Sequence, residues 1–146
     1  MEAIVSEQTF DEAVTTFREA LQAFVKGDPT FVLALFSQAE DVTLANPLGP
    51  AQRGAAAVAK VASEAASHFE DGHKTFEEVS RFASADLGYV VQNEHAEVRL
   101  DGASEASLIS LRVTMIFRLE SEGWRVAHRH ADPITSPRPV ASMVSG

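Results

Sequence analysis

At 146 residues the chain suits one domain with a core of its own. It has no cysteine, which excludes disulfides, thiolate metal sites and thiol nucleophiles and fits a cytoplasmic setting. A net charge of −9 argues against nucleic acid as a partner, and the sequence has neither the ~18-residue apolar run of a membrane span nor the basic-then-apolar start of a signal peptide.

Residues 1 to about 7 read as loose. Thr9 and Glu12 then form a T-x-x-E capping pair, and Phe10, Val14, Phe17, Leu21 and Phe24 recur at helical steps. Gly27-Asp28-Pro29 ends that helix, and Asp28 can cap a short second one carrying Phe31, Leu35 and Phe36. Asp41 to Ala45 reads as a short strand running into the irregular Asn46-Pro47-Leu48-Gly49-Pro50. A third helix follows Gly54, with Val58, Val61, Ala62, Ala65 and Phe69 on its buried face and Gly72 at its end.

Four strands are expected next, at approximately 73–83, 88–100, 107–119 and 124–132, separated by Asp86-Leu87-Gly88, Asp101-Gly102 and Glu122-Gly123. Helices followed by a meander imply an α+β fold with an antiparallel sheet. Strands this long curl, so the sheet is expected to wrap around about three N-terminal helices as a cone with an internal pocket. The domain is placed at 8–133, and the Pro/Ser-rich stretch 134–146 is expected to be a flexible C-terminal tail.

Alternation along each strand assigns faces. Trp124, Val126, His128, His130 and Asp132 share one face of the last strand, and its apolar start points that face inward. Val113, Met115 and Phe117 form the inner face of the preceding strand, and Tyr89, Val91, Asn93 and His95 share a face of the one before. The expected pocket has an apolar base (Trp124, Val126, Met115, Phe117) and a polar mouth (Asn93, His95, His128, His130, Asp132), with Asn46 and Tyr89 as further ligand-binding candidates, a composition suited to a small, partly apolar ligand. His128 with Asp132 could act as an acid–base pair, the carboxylate fixing the tautomer of the imidazole. A metal would need a third ligand from Asp132 or His95 beside His128 and His130; no ligand spacing demands one, and no metal or cofactor is expected. The alternating Arg125, Ala127, Arg129 and Ala131 suit an outer face that pairs sheet to sheet in a homodimer.

The segment Ala34-Leu35-Phe36 through Asp41-Val42-Thr43-Leu44-Ala45-Asn46-Pro47-Leu48-Gly49 to Arg53-Gly54 resembles ketosteroid isomerases. The ending Gly123-Trp124-Arg125-Val126-Ala127-His128-Arg129-His130-Ala131-Asp132 is similar to the last strand of SnoaL-like proteins and of the calcium/calmodulin-dependent kinase association domain. Together they resemble the nuclear transport factor 2-like superfamily over roughly residues 8 to 133, which implies the cone fold and leaves function open. Where the resemblance places the isomerase's general base, this chain has Asn46. Ala20 and Met115 fall near the positions of its oxyanion-hole tyrosine and protonated aspartate. The expectation is therefore a small-molecule-binding SnoaL-like domain without isomerase chemistry. The alternative is an acid–base enzyme of cyclase, isomerase or dehydratase type using a His/Asp pair.

Overall fold

The computed structural model describes residues 8–145. Residues 1–7, expected to be loose, and Gly146 lie outside the described residues.

Helix α1 spans Phe10–Phe24 and starts as its sequence requires: Thr9 Oγ1 accepts the Glu12 amide at 3.1 Å, and Glu12 Oε1 accepts the Thr9 amide at 3.2 Å. Its apolar stripe buries Phe10, Ala13, Val14, Phe17, Ala20 and Leu21. Helix α2, Thr30–Leu35, begins where Asp28 Oδ1 accepts the Thr30 amide at 2.9 Å. It stops before Phe36, whose extended backbone bridges to Val126. Strands β1 (Thr43–Ala45) and β2 (Gln52–Arg53) pair with each other, and β2 is too short to carry a sequence signature.

Helix α3 covers Ala55–Ala66. Phe69, expected on its buried face, instead opens strand β3 (Phe69–Ala83) and packs edge-on to Phe24 at 5.8 Å. Gly72 is therefore a strand residue and does not end the helix. Its amide donates to the Val25 carbonyl at 2.9 Å, and a Cβ at that position would collide with the Val25 backbone. The register slips between Glu70 and His73, so this glycine sits in a bulge that brings β3 against the end of α1.

Strands β4 (Leu87–Leu100), β5 (Ser107–Glu120) and β6 (Gly123–Asp132) complete one six-stranded sheet in the order β2-β1-β6-β5-β4-β3. All neighbours are antiparallel except β1 and β6, which run parallel. The sheet is curved and unclosed, as the α+β cone expectation requires. The core lies between its concave face and the helices. At one end it is filled solid, because Phe10 meets Phe117 and Trp124 edge-on at 5.5 and 5.4 Å. Beyond β6 the chain forms a short 3-10 turn, Val140–Met143, with no buried residue. Among the described residues no helix is long and apolar enough to cross a membrane.

Candidate functional site

The chemistry of the concave face is set by one extra residue. Phe117 pairs with Val126, but the next residue back on β5, Ile116, pairs with His128. Ala127 is thus a bulge, with two residues of β6 opposite one of β5, and the inward phase shifts by one. Before it Trp124 and Val126 point in; after it Arg129 and Ala131 do. The expectation that His128, His130 and Asp132 face inward is corrected by this bulge. All three lie on the outer face: His128 Nδ1 pairs with Thr43 Oγ1 at 2.7 Å, and Asp132 is held by Arg112 at 2.7 Å and His130 at 3.0 Å. Burial, then the neighbouring His130, lowers the His128 pKa. The proposed outer dimer strip is corrected for the same reason, since Arg129 and Ala131 are buried.

On β4 the inward phase is Val90, Gln92, Glu94, Ala96 and Val98, each buried. Tyr89, Asn93 and His95, expected in the pocket, are therefore on the outer face. Tyr89 lies beside Phe82, Asn93 donates to Glu77 at 2.9 Å, and His95 pairs with Ser110 at 2.8 Å. A strand whose buried face carries glutamine and glutamate needs polar partners in the interior, and β3, β6 and α1 supply them.

Glu94 is fully buried and receives hydrogen bonds on both oxygens. Lys74 Nζ donates to Oε1 at 2.6 Å, Arg129 donates from Nη2 to Oε1 at 2.7 Å and from Nη1 to Oε2 at 2.8 Å, and Gln92 Nε2 donates to Oε2 at 2.8 Å. Burial pulls the Glu94 pKa up. The charges and hydrogen bonds of Arg129 and Lys74 together outweigh it and hold the carboxyl far below its usual range. Gln92 Oε1 in turn accepts Arg18 Nε and Nη2 at 2.9 and 2.6 Å, and Arg18 reaches Glu78 at 3.0 Å. A polar chain thus runs from the interior to the surface beside α1.

A cavity of about 430 Å³ opens next to this cluster, between the sheet and the three helices. Most of its wall is apolar and includes Phe24, Val98, Ile109 and Leu111. Its polar side chains are few: Asn46, His68, Lys74, Asp101 and Arg129. Volume and lining both match a small-molecule pocket. Of the residues expected to bind ligand, Asn46 alone lines it, its Oδ1 accepting the Leu48 amide at 3.1 Å in the turn before Gly49. Met115, Phe117 and Trp124 are buried as expected but do not line the cavity.

His68 and Asp101, the latter expected only as a turn residue, meet at the cavity rim. His68 Nδ1 and Asp101 Oδ1 are 2.6 Å apart, and the Asp101 amide donates to the His68 carbonyl at 2.9 Å. Asp101 takes the left-handed conformation the β4–β5 turn needs, with φ 49°, which carries its carboxylate back toward the end of α3. A carboxylate accepting at Nδ1 places the imidazole proton there and leaves Nε2 as the basic nitrogen. Among the described residues no group of three His, Asp or Glu side chains is arranged to hold a metal.

The SnoaL-like domain profile matches residues 14–135, and the chain belongs to that family. Solved structures share its fold. A nuclear transport factor 2-like superfamily protein from Salmonella enterica serovar Typhimurium aligns at TM-score 0.75 and 14% identity, over 91% of this chain and 93% of that one. A ketosteroid isomerase-like protein from Erwinia carotovora atroseptica aligns at 0.70 and 21% identity, over 87% and 94%. A member of the NTF2-like family from Streptomyces avermitilis, to which dehydratase activity is ascribed, aligns at 0.71 and 21% identity, over 85% and 92%. No curated protein matches the chain in sequence. At these identities the likeness establishes the nuclear transport factor 2-like fold and no activity.

Proposed function

We propose that this protein binds a small, mostly apolar molecule in the cavity between the sheet and its helices. The observation that carries the reading is the cavity itself: about 430 Å³, walled mainly by aliphatic and aromatic side chains, with a few polar groups at its rim and floor. Ketosteroid isomerase chemistry is not part of the reading. Asn46 is an amide that accepts no proton near neutral pH, and the one tyrosine of the sequence, Tyr89, is on the outer face beside Phe82. The test is calorimetric titration with a panel of small aromatic and aliphatic probes, repeated on Leu111→Trp, which fills the cavity from its wall. Saturable binding that Leu111→Trp weakens at least about tenfold supports the reading. Binding indifferent to Leu111→Trp refutes it.

One observation favours a second reading, an acid–base enzyme. The His68–Asp101 pair stands at the rim of the cavity at 2.6 Å, with Nε2 of His68 left as base. It takes over the role first expected of His128 and Asp132. A bound ligand carrying an acidic C–H, incubated in deuterated water, should exchange that proton, and His68→Gln should slow the exchange at least about 100-fold. Equal exchange rates in both proteins would remove this reading. A homodimer remains part of the proposal, through the outer face where Tyr89, Ile116 and His128 stand side by side in register. A monomer by light scattering at micromolar concentration would remove it.

A further inference from the structure

The protein as a whole carries a net charge of −9, yet the interior of the sheet is cationic. Among the described residues the buried charged side chains are Lys74, Glu94 and Arg129: two cations for one carboxylate. Lys74 and Arg129 line the cavity, whereas Glu94 lies behind them and does not reach its wall. The carboxylate is already saturated by donors from Lys74, Arg129 and Gln92, so it cannot take on a further cation.

Among the described residues no other acid bonds Lys74 or Arg129. Glu78 is engaged by Arg18 and Arg81, and Asp101 is paired with His68 at the rim. Donors are left over as well. The Lys74 ammonium has three N–H groups and spends one on Glu94 at 2.6 Å. Arg129 Nη1 and Nη2 serve Glu94 and the Met115 sulfur, and its Nε has no acceptor among the described residues. Surplus positive charge with spare donors in an apolar enclosure is costly unless something compensates it.

We propose that Lys74 and Arg129 form an anion subsite, and that the ligand of this cavity is an amphipathic carboxylic acid. Its carboxylate sits on these two side chains and its apolar body packs against Phe24, Val98, Ile109 and Leu111. The inference rests on the cavity reading above and names the chemical class of its ligand. The electrostatics agree: burial, then Arg129, pulls the Lys74 pKa down and only Glu94 pulls it up, so a second carboxylate supplies the missing stabilisation of the ammonium.

The test uses the full chain and three matched probes at about pH 7: 4-phenylbutyrate, 4-phenylbutan-1-ol and 4-phenylbutylamine, titrated by calorimetry. In the unmodified protein the acid should bind at least about tenfold tighter than the alcohol, and the amine weakest, because a charge-assisted hydrogen bond is worth at least that factor. In Lys74→Met, and in Lys74→Gln as a second variant, the affinity of the acid should fall to within about threefold of that of the alcohol measured in the same variant. Thermal unfolding verifies that each variant is folded, and Arg129 and Glu94 remain a balanced pair in both. Leu111→Trp should weaken acid and alcohol alike. Equal affinities of acid and alcohol, with the alcohol still sensitive to Leu111→Trp, would overturn the anion subsite and leave the cavity reading standing. A preference for the acid that survives loss of Lys74 would overturn it too. Absence of binding by all three probes would overturn both.

Discussion

Replacing Glu94 with glutamine tests the internal ion cluster most directly. The substitution keeps the size of the side chain and removes its charge. Lys74 and Arg129, 5% and 7% exposed, would then face each other with no counter-ion. The new amide NH2 would also be a donor at a place where Lys74, Arg129 and Gln92 already donate. Removing one partner of a buried ion pair costs about 3–5 kcal/mol. A domain of this length loses roughly 2–4 °C of Tm per kcal/mol, so Tm should fall by roughly 6–20 °C. Urea unfolding followed by circular dichroism gives the free energy, with an unchanged m-value as the sign that the native state is otherwise intact. Adding Lys74→Met to Glu94→Gln leaves one stranded cation instead of two and should recover a substantial part of the loss, a coupling of at least about 1 kcal/mol. A single-mutant cost below about 1 kcal/mol, with no coupling to Lys74, would refute the view that Glu94 holds these cations in place.

Five further outcomes follow from the same structure. Lys74→Met alone removes the surplus cation and should leave stability within about 1 kcal/mol of the parent or raise it, measured by urea unfolding. The Lys74 pKa is lowered in the fold, so between that value and the unfolded 10.5 the unfolded chain binds more protons; stability should rise with pH across this window, and Lys74→Met should flatten the rise. Glu94 acts at the other end of the scale: its folded pKa lies below 4.5, so its contribution is complete above that pH and is lost on acidification, making Glu94→Gln less acid-sensitive than the parent in pH-dependent unfolding. Thr9→Ala removes the capping box of α1 and should cost about 1 kcal/mol by thermal denaturation, whereas Gly72→Ala, which drives a methyl into the Val25 backbone, should cost more than that.

The elements were legible because their signals are local. The capping pair Thr9/Glu12, the aromatic stripe of α1 and the turns at Asp101-Gly102 and Glu122-Gly123 depend on residues a few positions apart, and each stands where the sequence puts it. The wall of the cavity was not legible, because it depends on strand phase. In β6 the phase changes at Ala127, and nothing in Val126-Ala127-His128 distinguishes a bulged alanine from a regular one. In β4 the buried face carries Gln92 and Glu94, whose partners Arg18, Arg129 and Lys74 are distant in the chain, so a polar run passed for an outer one. A signal was present there: Val90, Ala96 and Val98 share the phase of Glu94, while Asn93, His95, Glu97 and Arg99 share the other. Reading the strand to its end separates the two faces. His68 and Asp101 gave no such signal, because only the turn between β4 and β5 brings them together.

The bulge at Ala127 also bears on how such a cavity changes over generations. A point mutation alters one side chain of the wall. Gain or loss of a single codon before His128 exchanges a whole alternating set, presenting either Arg129 and Ala131 or His128, His130 and Asp132 to the interior, with no side chain altered. Strands with nearly the same letters can therefore turn opposite sets inward, Arg129 and Ala131 in one phase and His128, His130 and Asp132 in the other. Strand length between Trp124 and Arg129 thus decides, as much as the identity of the residues does, which side chains reach the cavity.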